Sequence, residues 1–136
     1  MGFLSKLSGH IKELNRMSIA VGNAIVFLDR YDQDGDFTTL SIAGWLCKSI
    51  QDIMETGNMS PMYAINVVIN RRVQKMTVMD AYKRSVGRFS MIAGEYDGQD
   101  KEDLLNMLHG GRLFEEVESI MTLEQKSKLL KSNVTY

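Results

Sequence analysis

The chain has 136 residues, of which 44% are hydrophobic and 24% are charged, and its formal net charge is −1. This length and apolar content predict a globular protein with a sizeable core and exclude a disordered chain. The near-zero net charge argues against nucleic acid as a partner. Cys47 is the single cysteine, so no intramolecular disulfide can form, which favours a cytoplasmic location.

The first predicted element is an amphipathic helix over residues 1–15, because apolar residues recur there at helical spacing with charged residues between them. This helix can pack on its own domain, which we favour. Alternatively, residues 3–14 can associate peripherally with a membrane or dock on a partner. No stretch of about 18 apolar residues is present, so we predict no transmembrane segment.

The next two predicted helices flank an acidic turn. The segment 17–31 is apolar nearly all round, which predicts a buried central helix. Residues 32–36 form the turn, and Gly35 there can adopt positive φ. A second amphipathic helix follows as far as about Thr56, with Gly57 ending it.

The segment from Met62 to about Arg72 has two alternative interpretations. Ser60-Pro61 is a typical helix start, with serine as N-cap and proline in the first turn. The β-branched run Val67–Ile69 is also typical of a strand. Because the sequence shows no second strand candidate to pair with it, and a lone strand leaves its backbone unsatisfied, we predict a helix here.

The remaining sequence predicts further helices. One opens at Thr77 with a capping-box pattern and ends at Asp97-Gly98, and another runs from Lys101 to His109. A short helix or turn and a last helix follow, and residues 132–136 form a frayed tail. The sequence therefore predicts a single all-α domain over residues 1–136, built as one compact bundle of seven to eight helices.

One local pattern occurs twice, 65 residues apart. Val21-Gly22 is followed, after eight residues, by Tyr31-Asp32, and Val86-Gly87 is followed, after eight residues, by Tyr96-Asp97. Each copy predicts a helix, an acidic turn and another helix. The two copies are expected to pack about a pseudo-twofold axis, with each glycine at a close helix–helix approach.

The acidic turns are the candidate metal sites. Carboxylates clustered this densely repel one another, and calcium or magnesium, which take oxygen ligands, would relieve that repulsion. A standard EF-hand does not fit, because Arg30 and Ser41 occupy the places of its first and last ligands. The alternative is that the turns are solvated and cap helices. The candidate ligands are Asp32, Asp34, Asp36, Asp97 and Glu102.

A basic cluster, Arg71, Arg72 and Lys75, is the candidate partner-binding site. It could contact phosphates or an acidic protein, or it could be a solvated helix end. The sequence contains no nucleophile–base order, no phosphate-binding loop and no zinc spacing, so we predict a protein that is not an enzyme.

Together these motifs resemble the tellurite-resistance TerB family. The opening Met1–Leu7 is similar to the family's short leading helix, and Glu95–Gly98 followed by Glu102 matches its Asp-Gly…Glu pattern. The first turn matches only at Asp34-Gly35, since Thr39 stands where an acidic residue is expected. The resemblance implies an all-helical cytoplasmic domain whose acidic residues bind metal ions, with a non-enzymatic stress-response role beside membrane-bound partners.

The resulting prediction is a TerB-like binding module of stress-response or tellurite-resistance type that holds a divalent cation or a protein partner at its Asp-Gly turns. The alternative is a small phage or plasmid accessory or inhibitory protein that acts purely by protein–protein interaction, without metal. Metal binding would distinguish the two.

Overall fold

Two long helices form the first half of the fold. The computed structural model describes residues 2–57 and 59–108, with side chains described from residue 11 onward. Helix α1 spans Gly2–Asp34, and helix α2 spans Phe37–Gly57 and packs along it. The segments 1–15 and 17–31, predicted as separate helices, join into α1 because neither glycine nor proline lies between them to interrupt the helix.

A β-hairpin follows α2, in the segment where the sequence predicts a helix. Strand β1 spans Ala64–Ile69 and strand β2 spans Arg72–Thr77, and they pair antiparallel. The turn residues Asn70 and Arg71 both have positive φ, 50° and 68°, as a type I′ turn requires. The predicted all-α bundle of seven to eight helices is therefore wrong: the described residues combine helices with a two-stranded antiparallel sheet.

Tertiary packing explains why this segment forms a hairpin. In β1, residues alternate between the core and solvent, with Ile65, Val67 and Ile69 buried. In β2 only Met76 is buried, so the sequence of this strand shows no clear apolar alternation. Strand preference depends on packing against neighbours more than on intrinsic propensity. The sequence of β2 therefore does not by itself predict a strand, and β1 has no evident partner in the sequence.

The second half of the fold is a segmented helix over residues 78–94, followed by a short one. Helix α3 (Val78–Tyr82), a π-helical segment (Lys83–Gly87) and α4 (Arg88–Gly94) run end to end, because the joining residues have helical dihedrals. Thr77 caps α3 as predicted, its hydroxyl accepting a hydrogen bond from the Asp80 amide at 3.1 Å. Helix α5 spans Gly98–Asn106.

Two glycines mark the closest approaches between elements. A Cβ at Gly22 would lie 2.5 Å from the Val68 carbonyl oxygen, so α1 crosses directly over the edge of β1. The close approach predicted at Gly22 therefore exists, but it is between a helix and a strand. A Cβ at Gly44 would lie 2.7 Å from the Phe89 ring, and this is a helix–helix contact that the sequence analysis missed.

The core lies between α1, α2, the inner face of the hairpin and the 78–94 helix. Its largest fully buried side chains include Met17, Leu28, Leu40, Ile50, Tyr82 and Phe89. Within residues 2–57 and 59–108, no helix is both long enough and apolar enough to cross a membrane. The helices predicted beyond residue 109 and the tail at 132–136 lie outside the described residues.

Candidate functional site

The two copies of the repeat touch at their tyrosines. The hydroxyl groups of Tyr31 and Tyr96, which hold equivalent positions 65 residues apart, are 2.6 Å from each other. The Phe37 ring packs edge-on against Tyr96, with centroids 5.8 Å apart. Burial and the hydrogen bond with Tyr96 are the main causes that raise the pKa of Tyr31 to about 12. The Tyr31 phenol is therefore neutral at physiological pH.

Arg88 holds the carboxylates of the first copy. Its side chain is only 3% exposed, and it forms ion pairs with Asp29, at 2.8 Å, and with Asp32. The charged Arg88 is expected on the solvent side of its predicted helix, and its burial shows that this expectation is wrong. Asp29 and Asp32 lie three residues apart on one face of α1. Two carboxylates spaced in this way on a mostly apolar helix are the sequence feature from which a buried cationic partner could have been predicted.

The other carboxylates of the first turn cap the start of α2. The Asp36 carboxylate accepts a hydrogen bond from the Thr38 amide at 2.9 Å, and Asp34 accepts one from the Asp36 amide at 2.8 Å. The Thr39 hydroxyl also donates to Asp34, at 3.5 Å. Gly35 has φ of 62°, as expected. The oxygens proposed as metal ligands thus have partners within the protein.

Among the residues that the structure describes, the second turn has fewer internal contacts than the first. Gly98 has φ of 61°, and Asp97 is the N-cap residue of α5 but makes no side-chain capping bond. Asp97 and Glu102 are exposed. Within the described part of the chain, no three His, Cys, Asp or Glu side chains are arranged to hold a metal ion. Cation binding at Asp32, Asp34, Asp36, Asp97 and Glu102 stays a prediction.

The predicted partner-binding residues are brought together by the hairpin rather than by a helix end. Arg71 lies in the turn, and Arg72 and Lys75 lie on β2. All three are exposed, and none forms an ion pair within the residues that the structure describes. Neither strand contains an aspartate or glutamate. The tip and outer strand of the hairpin therefore carry uncompensated positive charge.

A groove lies one strand away from these cations, on the α1 side of β1. It has two connected parts, of about 410 and 220 Å³, between α1 and β1, and Ser18, Ile19 and Asn66 line both. The side chains of Ile19 and Val68 are 65% and 57% exposed, and Val68 lies opposite Val73, which is 67% exposed. We define the hairpin face as the exposed surface formed by Ile11, Ile19, Asn66, Val68, Val73 and Lys75.

The buried Cys47 thiol and Tyr82 phenol are not suited to act as nucleophiles. Burial raises the pKa of the Cys47 thiol and of the Tyr82 phenol, so both remain protonated at neutral pH. A protonated thiol is a poor nucleophile. Tyr82 instead accepts a hydrogen bond from Gln51 at 3.5 Å inside the core. These groups contribute packing and polar contacts to the interior.

Comparison with known proteins identifies no relative of this chain. No protein-family model, no curated protein and no solved structure matches this chain.

Proposed function

We propose that this protein is a non-enzymatic interaction module that binds an acidic, partly apolar segment of another protein through the hairpin face. The observation that supports this most directly is the grouping of exposed aliphatic side chains around one groove. Scattered apolar residues are normal on a protein surface, whereas apolar clusters with a polar rim mark interaction sites. Here Ile19, Val68 and Val73 come from three elements and are brought together by tertiary structure.

The charge around this groove indicates the chemistry of the partner. Lys75 lies on the hairpin face beside Asn66, its cross-strand neighbour, and Arg71 and Arg72 are at the adjacent tip. These cations have no ion-pair partner among the described residues. Such cations favour a negatively charged ligand and disfavour a basic one. The groove would supply apolar contact area, and the rim would supply selection for acidic side chains.

This proposal follows the alternative prediction, in which the protein acts by protein–protein interaction without metal. The carboxylates of the first turn hold Arg88 and backbone amides, so a cation there would compete with contacts already made. The TerB-like role in stress response and the cytoplasmic location stay predictions. They rest on the short motifs and on the single cysteine alone.

Site-specific photo-crosslinking tests the proposed function. A photoreactive amino acid at Asn66 lies within the hairpin face, and the same group at Ser49 lies on the exposed side of α2 and serves as the matched control. We expect discrete adducts with an acidic protein from position 66 in cells that naturally make the protein, and none from position 49. Equal labelling at both positions, or none at 66, would contradict the proposal.

A double variant strengthens this experiment. Ile19→Ser combined with Val68→Ser removes apolar area from the groove, while both positions are already more than half exposed. The free energy of unfolding should therefore change by less than about 1 kcal/mol, because each ordinary surface substitution changes it by less than about 0.5 kcal/mol. The adduct from position 66 should nevertheless be lost. An adduct that persists would place the contact elsewhere on the protein.

A further inference from the structure

The two outer edges of the hairpin are not equivalent. The edge of β1 is closed by α1, because Gly22 lies directly against the Val68 carbonyl. The edge of β2 is open in the part of the chain that the structure describes. Its residues from 72 to 75 are all exposed. An open strand edge presents unpaired N–H and C=O groups and can accept another strand.

The strand register identifies the backbone groups on the open edge. Because the turn has two residues, Ile69 and Arg72 form the hydrogen-bonded pair beside it. Hydrogen-bonded and non-hydrogen-bonded pairs alternate from there, so Val73 and Lys75 direct their N–H and C=O groups away from β1. Val68 is the partner of Val73, and its carbonyl oxygen faces α1, as this alternation requires.

Positive charge surrounds this edge. Arg72 and Lys75 belong to the strand, Arg71 precedes it, and the Arg84 side chain reaches back to β2 through a 3.3 Å hydrogen bond with Gln74. Like charges placed directly opposite each other destabilise strand pairing, whereas opposite charges stabilise it. A second copy of β2 would therefore be repelled, and an acidic strand would be attracted.

We propose that β2 binds an acidic, extended segment of a partner protein as a third strand of the hairpin. This inference rests on the proposed function and specifies the binding mode of the partner. Val73 and Lys75 exchange backbone hydrogen bonds with the incoming strand. Arg72 and Lys75 lie on opposite faces of the sheet, so they pair with carboxylates on both sides of that strand, and Val73 packs against an apolar side chain between them.

A defined peptide tests this binding mode on the full chain. The probe is a capped seven-residue peptide, Glu-Glu-Val-Val-Glu-Glu-Val, in which glutamate and valine alternate along each face of the extended strand. The control is the same peptide with lysine in place of each glutamate. In NMR titrations at low salt, the glutamate peptide should shift the amides of Val73 and Lys75 and bind at least about tenfold more tightly than the lysine peptide. Binding that is equal for both peptides, or absent for both, would overturn the proposal.

Two variants at one position separate backbone pairing from charge. Lys75→Gln removes the charge and keeps the N–H group, whereas Lys75→Pro also removes the outward N–H, a place where an edge strand tolerates proline. The glutamate peptide should bind the proline variant about fivefold more weakly than the glutamine variant, which corresponds to one lost hydrogen bond. Equal affinities would show that the peptide is held by charge alone, and would overturn strand addition.

A modified peptide keeps the test valid if Lys75→Pro fails to fold. The same glutamate–valine peptide, N-methylated throughout, retains its charge but cannot donate backbone hydrogen bonds. It should not shift the Val73 and Lys75 amides of the unmodified protein. Unchanged binding of this peptide would overturn the proposal.

The cations could instead serve only to keep the open edges of two copies apart, a known role of lysine on edge strands. In that case Arg72→Val combined with Lys75→Val would cause self-association, and the wild-type protein would bind neither peptide. That result would overturn strand addition at β2 while leaving the adduct from position 66 intact. Loss of the adduct from position 66 as well would contradict the proposed function itself.

Discussion

The two acidic turns share a Tyr-Asp pair and a positive-φ glycine, yet their carboxylates have different partners. In the first turn, Asp32 pairs with buried Arg88, and Asp36 accepts a backbone hydrogen bond at the start of α2. In the second turn, Asp97 precedes α5 but makes no capping bond through its side chain. The same local pattern thus forms a structural junction in one copy and an exposed loop in the other.

This difference shows that the carboxylate content of a turn is a poor guide to its role. The first turn has the denser charge, but a cation arriving there would compete with Arg88 and with amide donors. Within residues 2–57 and 59–108, the second turn has fewer internal contacts, and it keeps the Asp-Gly…Glu pattern of the TerB resemblance. If either turn has a ligand, the second offers less competition.

The largest loss of stability is expected from a substitution at Gly22, the glycine of the first copy. Gly22→Ala places a Cβ 2.5 Å from the Val68 carbonyl, so backbone must move. We expect a loss of about 3 kcal/mol in the free energy of unfolding, the upper range for overpacking. Gly94→Ala is the control, because nothing lies within 4 Å of its Cβ. Urea denaturation that gives equal losses would contradict the close contact.

The second prediction concerns the Arg88 ion pairs. Arg88→Met should cost about 2 kcal/mol, because it removes charge-assisted hydrogen bonds to two carboxylates that remain partly solvated. The control is Arg16→Met, which breaks an exposed pair with Glu13 worth well under about 1 kcal/mol. Similar losses for both variants, measured by thermal unfolding, would show that Arg88 does not anchor the first turn.

The third prediction concerns the contact between the two copies. Tyr31→Phe and Tyr96→Phe should each cost about 1 kcal/mol, because each removes one member of the hydroxyl pair. The double variant should cost no more than the larger single loss, since the same hydrogen bond is deleted. Additive losses in a double-mutant cycle would show that the two hydroxyl groups do not interact.

The same contact predicts a dependence of stability on alkaline pH. The pKa of Tyr31 is raised to about 12 in the folded protein, above its usual value of about 10. The stabilisation from this shift is therefore complete below pH 10 and is lost as the pH rises towards 12. Tyr31→Phe should flatten this part of the stability profile, whereas an unchanged profile would contradict the assignment.

The fourth prediction compares the caps of the two turns directly. Asp36→Ala should cost between about 0.5 and 1 kcal/mol, because it removes the hydrogen bond to the Thr38 amide. Asp97→Ala should cost only a few tenths, about 0.3 kcal/mol, because no capping bond is lost. Chemical denaturation of both variants measures the difference, and a larger loss at Asp97 would reverse the comparison.

The smallest expected effect is that of calcium on the wild-type protein. Since Asp32 and Asp34 already have partners, millimolar calcium should leave the thermal midpoint unchanged. Calcium titration followed by NMR checks this at the level of single residues. A higher midpoint together with shifts at Asp32, Asp34 and Asp97 would instead support the predicted cation site shared by the two turns.

Much of the helical architecture was predictable from the sequence. The helical state of 17–31, the Thr77 cap and the positive φ of Gly35 were all expected and are found. These features depend on neighbours within a few residues, so local physics determines them. The 65-residue repeat also pointed to a relation between the two turns, and Tyr31 and Tyr96 make that contact.

The tertiary structure alone decided the features on which function depends. Strand β2 is mostly exposed and polar, so only its pairing with β1 and the turn at Asn70-Arg71 make it a strand. The hairpin then places Arg71, Arg72 and Lys75 on its tip and outer strand, one strand away from the groove, instead of at a helix end. Arg88 became the partner of Asp32 in the same way, because a buried ion pair between distant residues depends on packing that no local pattern specifies.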